Sequence, residues 1–139
     1  MSWKCHAALA GLGWRVVAGA APVRVLMGCG VGLEEAILHR DFLLGGGRLL
    51  LCGGEGPLLA RLHLTPLLDQ WTAGEATGAL GTAVFPRVHP LRGVGEVLLR
   101  IGDDCVALGG VRGEGRVCYL ATADPDPGIL VASLDWLRS

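Results

Sequence analysis

The sequence predicts a single α/β domain spanning residues 1–139 and built on a mostly parallel sheet. Three observations carry that expectation. An apolar strand, Arg48-Leu49-Leu50-Leu51-Cys52, follows a helix-like segment and a glycine run. An earlier apolar run, Val23-Arg24-Val25-Leu26-Met27, lies on the other side of that helix. Twenty-three glycines in 139 residues cut the rest of the chain into short elements.

Trp3 to Leu12 places Trp3, Ala7, Ala8 and Leu12 near helical spacing and meets a glycine stop at Gly11 and Gly13. Trp14 to Ala18 reads as a strand. Val23 to Met27 is a second strand, ending at Gly28-Cys29-Gly30. Leu33 to Leu44 then reads as an amphipathic helix. Leu33, Ile37 and Phe42 or Leu44 fall on one side, and Glu34, Glu35, His39 and Arg40 on the other. Its acids lie in the first turn, where the helix dipole favours them. Gly45-Gly46-Gly47 ends it. Arg48 to Cys52 does not alternate, which suits a central parallel strand covered on both faces. Strand, helix, strand over about 30 residues is a right-handed βαβ unit.

Leu58 to Trp71 reads as partly helical and broken by Pro66, and Trp71 to Gly81 as a small-residue loop. Thr82 to Val88 is a strand that Pro86 assigns to a sheet edge. Glu96–Ile101, Cys105–Gly110 and Arg116–Ala121 are three strands joined by Gly102-Asp103-Asp104 and Arg112-Gly113-Glu114-Gly115. They form an antiparallel C-terminal meander at the edge of the sheet. Gly128 to Arg138 closes the chain as a helix with Ile129, Leu130, Leu134 and Leu137 on one face. Asp124 or Asp126 caps its start.

Composition narrows the function classes. Hydrophobic residues make up 51% and charged residues 18%, which excludes a disordered chain. No apolar run approaches the ~20 residues of a spanning helix, and Arg15 closes the N-terminal apolar run too early for a signal peptide. A cytoplasmic protein is expected. The net charge of −1, from 12 basic and 13 acidic residues without a basic stripe, argues against nucleic acid as a partner. The excess of apolar residues predicts a covered surface, supplied by a second copy or a partner domain. The five cysteines have no C-x-x-C spacing, so neither a disulfide framework nor a zinc knuckle is expected. No cofactor is expected either. Gly45-Gly46-Gly47 precedes a strand, whereas phosphate loops follow one.

Four stretches resemble a known family. Asp41-Phe42-Leu43-Leu44-Gly45-Gly46-Gly47-Arg48-Leu49-Leu50-Leu51-Cys52-Gly53-Gly54 is similar to the helix, GGG, strand, GG core of glutamine amidotransferase-like domains, and Thr65-Pro66-Leu67-Leu68 follows at a similar place. Gly113-Glu114-Gly115-Arg116-Val117-Cys118-Tyr119-Leu120 resembles their late hairpin, and Leu134-Asp135-Trp136-Leu137 their closing helix. Trehalose-utilisation-type domains share much of this layout. The resemblance runs in order from Val23 to Arg138. It implies a flavodoxin-like three-layer sandwich, and an active cysteine on the turn after a central strand with a histidine after a late strand as its base.

By position Cys52 is the candidate nucleophile, and the Gly53 and Gly54 N–H groups its oxyanion donors. A thiol with a pKa of ~8.5 needs a base or a cation beside it. The family histidine would fall near Asp124 to Gly128, where the chain reads Asp124-Pro125-Asp126-Pro127-Gly128. The expected function is therefore a non-catalytic or vestigial amidotransferase-like domain with a binding or assembly role. The alternative is a cysteine-dependent hydrolase or amidotransferase using Cys52 with His63 or His89 as base. A small-molecule crevice at the carboxyl edge of the strands is expected to involve Cys29, Gly30, Gly53, Gly54, Glu55, Asp124 and Asp126, because parallel sheets bind ligands at that edge.

Overall fold

The computed structural model describes residues 23–28 and 32–139. The expected helix at Trp3 to Leu12, the strand at Trp14 to Ala18, and Cys29 and Gly30 lie outside these residues. Strand β1 (Val23–Met27), helix α1 (Leu33–Leu44) and strand β2 (Arg48–Cys52) form the βαβ unit. Helix α2 (Pro57–Arg61) and strand β3 (Leu64–Pro66) follow. Then come β4 (Thr72–Gly78), β5 (Gly81–Val88), β6 (Leu91–Gly93), β7 (Glu96–Ile101), β8 (Asp104–Arg112), β9 (Gly115–Leu120) and helix α3 (Pro127–Arg138).

The main sheet has seven strands in the order β1-β2-β9-β8-β7-β4-β5, and β3 pairs with β6 in a separate two-stranded ribbon. β2 is parallel to both neighbours, with Leu50 opposite Val25 on one side and Cys118 on the other. From β9 onward every pairing is antiparallel.

This corrects the expected flavodoxin-like, mostly parallel α/β sandwich of the amidotransferase type. Strand makes up 46% of the structure, and the sheet is a curled, mixed half-barrel with few helices. The physical reason lies in the connections. A parallel neighbour needs a crossover of a dozen or more residues, and only α1 supplies one between consecutive strands. Beyond β3 the hairpins β4–β5, β7–β8 and β8–β9 of the main sheet turn through short glycine-bearing connections. Gly81, Gly102 and Gly113 hold φ of 109°, 60° and 60°, a region open to glycine at little cost. Such turns reverse the chain and force antiparallel pairing. The meander is correspondingly not at the edge: β8 and β9 are central, and β5 with Pro86 is the outer strand of the order.

The curl follows from α3. It packs against β2 and β9, and also against β5, which is five places from β2 in the sheet order. Ile129, Leu130, Leu134 and Leu137 of α3 join Leu50, Cys52, Cys118, Leu120, Leu98 and Phe85 in one buried cluster. The other face of the sheet carries a second cluster, where Ala36 and Leu43 of α1 and Leu58 and Leu59 of α2 meet Leu49, Leu51, Val117 and Tyr119. β4, a strand of small residues, lies between β7 and β5. Gly78 lies so close to the Leu98 carbonyl that no Cβ fits between them.

Helix α1 buries a different stripe from the one its pattern suggests. Ala36 and Leu43 are fully buried, whereas Leu33, Leu38 and Leu44 are exposed. α3 behaves as expected, and Asp126 caps it by accepting the Gly128 N–H at 2.8 Å. Among the described residues, no helix is long and apolar enough to cross a membrane.

Candidate ligand crevice at the carboxyl ends of the parallel strands

A strand's side chains alternate between faces, and that alternation decides where each candidate group points. On β2, Leu49 and Leu51 enter the α1 cluster while Leu50 and Cys52 enter the α3 cluster. On β9, Val117 and Tyr119 share the α1 side, and Cys118 and Leu120 the α3 side. Cys52 is thus fully buried beneath α3. Cys118 is equally enclosed, and burial pushes its thiol up to about 12, against smaller opposing effects from Ser133 and the Arg116 charge.

On the α1 side, beyond the ends of β2 and β9, a crevice of about 230 Å³ opens between Gly54, Glu55, Pro66, Leu68, His89, Tyr119 and Ala121. The backbone after β2 creates it. Gly53 and Gly54 have φ of 69° and 83°, so the chain turns sharply out of the sheet. Gly53 also presses on the Ala123 backbone, where a Cβ would meet the amide nitrogen at 2.5 Å. The Gly53 N–H donates to the Leu120 carbonyl at 2.8 Å, so it is committed to the sheet. Tyr119 donates its hydroxyl hydrogen to the Gly54 carbonyl at 2.9 Å and fixes the next residue.

His89 forms the opposite wall. Its Nδ1–H donates to the Gln70 carbonyl at 2.7 Å, because a carbonyl only accepts. In the neutral ring Nε2 is then the acceptor. The imidazole packs on Trp71, with ring centroids 3.8 Å apart, and the Arg87 guanidinium lies 4.3 Å from the same indole. Glu55 adds an exposed carboxylate. These groups can hydrogen-bond a polar molecule, and Pro66, Leu68 and Ala121 supply apolar contact. Among the described residues, no cysteine, serine or lysine lines the crevice.

Of the residues expected at this edge, the crevice includes Gly54 and Glu55. Gly53 supports it from behind. Asp124 is exposed in the loop after β9, where its N–H donates to the Thr122 hydroxyl at 3.1 Å. Asp126 serves as the α3 cap. Tyr119 and His89 were not expected as lining residues. Tyr119 shares the phase of Val117 along β9, a signal legible in the sequence, but only the unmarked pairing of β9 with β2 brings it beside Gly54. A second hollow, of about 440 Å³, lies near the β7–β8 turn and includes Arg92, Asp103, Asp104 and Cys105. Burial raises the Cys105 thiol, partly offset by a hydrogen bond to Ala107 and the Arg100 charge. Among the described residues, no group of three or more His, Cys, Asp or Glu side chains is placed to hold a metal ion.

No family model matches the chain, and no curated protein matches it in sequence. Solved structures do resemble it. The cytoplasmic protein STM3548 from Salmonella typhimurium matches with a TM-score of 0.63 at 14% identity, over 86% of this chain and 72% of that one. The exo-β-1,4-mannosidase from Opitutaceae bacterium strain TAV5 matches with a TM-score of 0.60 at 13% identity, over 84% of this chain and 25% of that one. The β-galactosidase from Bacillus circulans sp. alkalophilus gives 0.59 at 16%, over 86% and 22%. The chain therefore spans about a quarter of the length of these two glycosidases. At such identities the likeness is one of fold alone: the chain is similar to one segment of these larger enzymes and to most of STM3548.

Proposed function

We propose that this chain is a non-catalytic binding or assembly domain that takes a small polar ligand in the Glu55–His89–Tyr119 crevice. The observation that carries this reading is the opposition of faces. Cys52 is sealed under α3 at 0% exposure, while the crevice and His89 lie on the other side of the sheet. A nucleophile must reach its substrate and its base together. At about 230 Å³ the crevice is smaller than the ~300–1,000 Å³ of drug-sized sites, which favours a compact ligand. An assembly role is supported by exposed Leu33, Leu38, Val84 and Val111, and by the recurrence of this fold as one part of longer glycosidase chains. A cytoplasmic location belongs to the same proposal, in keeping with the description of STM3548.

Iodoacetamide labelling of native protein from pH 6 to 9, read by peptide mass spectrometry, tests the non-catalytic reading. Cys52 is expected to stay unmodified until the protein is unfolded. Rapid alkylation of Cys52 below pH 7 would overturn it in favour of a cysteine-dependent hydrolase or amidotransferase. Light scattering tests the assembly role, and a monodisperse monomer at high concentration would count against it.

A further inference from the structure

At the opposite end of β9 from the crevice, a second opening gathers positive charge. Its walls come from Arg40 and Leu44 of α1, from Arg61, Leu62 and His63 at the end of α2, and from the β8–β9 turn region with Val94 beside it. The cleft measures about 460 Å³ and, among the described residues, no acidic residue lines it. Four nitrogen-bearing side chains, those of Arg40, Arg61, His63 and Arg112, converge there from three separate parts of the chain.

Arg112 is the deepest. Its residue is 9% exposed. Nε donates to the Leu62 carbonyl at 2.8 Å, Nη1 to Val111 at 3.0 Å, and Nη2 to Val94. Three of its five N–H groups are therefore held by neutral oxygens, and two remain. Carbonyl dipoles orient a guanidinium, but they do not neutralise it. A charge withdrawn from water without a counterion is costly. Burial lowers the Arg112 pKa, with no carboxylate acting against it. The backbone makes room for this arrangement: a Cβ at Gly110 would lie 2.6 Å from Arg112 Nη1.

Two further groups are held at a cost. The Arg40 Nε is buried and has no hydrogen-bond partner, while its Nη2 reaches Asp41 at 3.2 Å. His63 is the one non-glycine among the described residues with positive φ, at 58°. Its backbone is locked there, its N–H donating to the Ala60 carbonyl at 3.2 Å and its carbonyl accepting from Val94 at 3.1 Å. Strained residues persist where the surroundings over-determine them, and they cluster at binding sites.

We propose that this cleft binds the phosphoryl group of a small organic phosphate, with Arg40, Arg61, His63 and Arg112 facing the anion. A dianion matches several converging donors better than a single carboxylate does, and guanidinium forks suit phosphate oxygens. The organic part of the ligand lies against Leu44, Val94 and Val111, apolar side chains that the fold leaves 42%, 64% and 67% exposed around the cleft.

Isothermal titration with phenyl phosphate, inorganic phosphate and benzoate tests this on the full chain. Phenyl phosphate is expected to bind saturably, at least fivefold tighter than either of the other two. The Arg40→Gln/Arg61→Gln double variant is expected to weaken it at least fivefold while keeping the parent melting temperature. His63→Gly is expected to melt higher, through relief of the left-handed backbone, and to bind more weakly. Absence of saturation, unchanged affinity in the double variant, or benzoate binding as tightly as phenyl phosphate would each overturn the proposal. Preference for a single-stranded oligonucleotide over phenyl phosphate would overturn it in favour of a nucleic-acid surface.

Discussion

Tyr119 and Gly54 are joined across the ends of two parallel strands by a 2.9 Å hydrogen bond from the phenol to the backbone carbonyl. The bond fastens the loop leaving β2 to the face of β9. Tyr119→Phe keeps the ring in its buried position and removes only the donor. A loss of about 1 kcal/mol in unfolding free energy is expected, measured by urea denaturation. Faster amide exchange at Gly54 and Glu55 is expected with it, and unchanged exchange there would show that the bond does not hold the loop.

Gly53 occupies a conformation that an L-residue adopts at a cost, and it abuts the Thr122–Ala123 backbone. Gly53→Ala adds a left-handed penalty of roughly 1–2 kcal/mol to a clash with a backbone that cannot rotate away. A total destabilisation of about 2–4 kcal/mol is expected, seen as a fall of many degrees in melting temperature. Gly46→Ala is the control, because that glycine also has positive φ but faces open space.

Asp126 caps α3, its carboxylate accepting the Gly128 N–H. Asp126→Ala is expected to cost about 1 kcal/mol, and Asp126→Asn, which can still accept the Gly128 N–H, only a few tenths. Chemical denaturation of the two variants checks the order. Ligand affinity at the crevice is expected to be the same in both.

Cys118 gives the fold a definite response to alkali. Its thiol is raised from 9.0 to about 12 in the folded state, so the folded chain keeps a proton that the unfolded chain releases. Stability contributed by the neutral thiol is fully present below about pH 9 and declines as pH rises toward 12. The limiting slope is ~1.4 kcal/mol per pH unit. Denaturant midpoints for the parent and Cys118→Ala, compared from pH 8 to 10.5, isolate this group. The parent is expected to lose more stability over the range.

Much of this architecture is written locally. The βαβ unit, the three strands from Glu96 to Leu120 and the closing helix follow from apolar runs bounded by glycine, and the turns at Gly102 and Gly113 lie where glycine and aspartate mark them. What stayed hidden depends on pairing at a distance. Thr72-Ala73-Gly74-Glu75-Ala76-Thr77-Gly78 has weak strand propensity, yet it becomes β4 because β5 and β7 bond it from both sides. The buried stripe of α1 departs from the apolar pattern because Leu33 and Leu44 are apolar and nevertheless exposed. At the crevice, Gly54 and Glu55 were legible from their place after an apolar strand. His89 enters the sequence reading only as a base for Cys52, and its place in the crevice is set by the β5–β6 connection; the basic cleft is hidden because its residues are dispersed from Arg40 to Arg112.

Pro86 in β5 bears on how copies of this domain meet. β5 is one of the two edge strands of the described sheet, β1 being the other, and its pairing with β4 is irregular at the level of Pro86. A proline offers no amide hydrogen, so the row of donors along β5 is interrupted at Pro86, and an interrupted edge is a poorer template for an incoming strand. Runaway stacking of sheet upon sheet margin is thereby discouraged in a chain rich in apolar residues. At that edge contact between copies is left to side chains, such as that of exposed Val84.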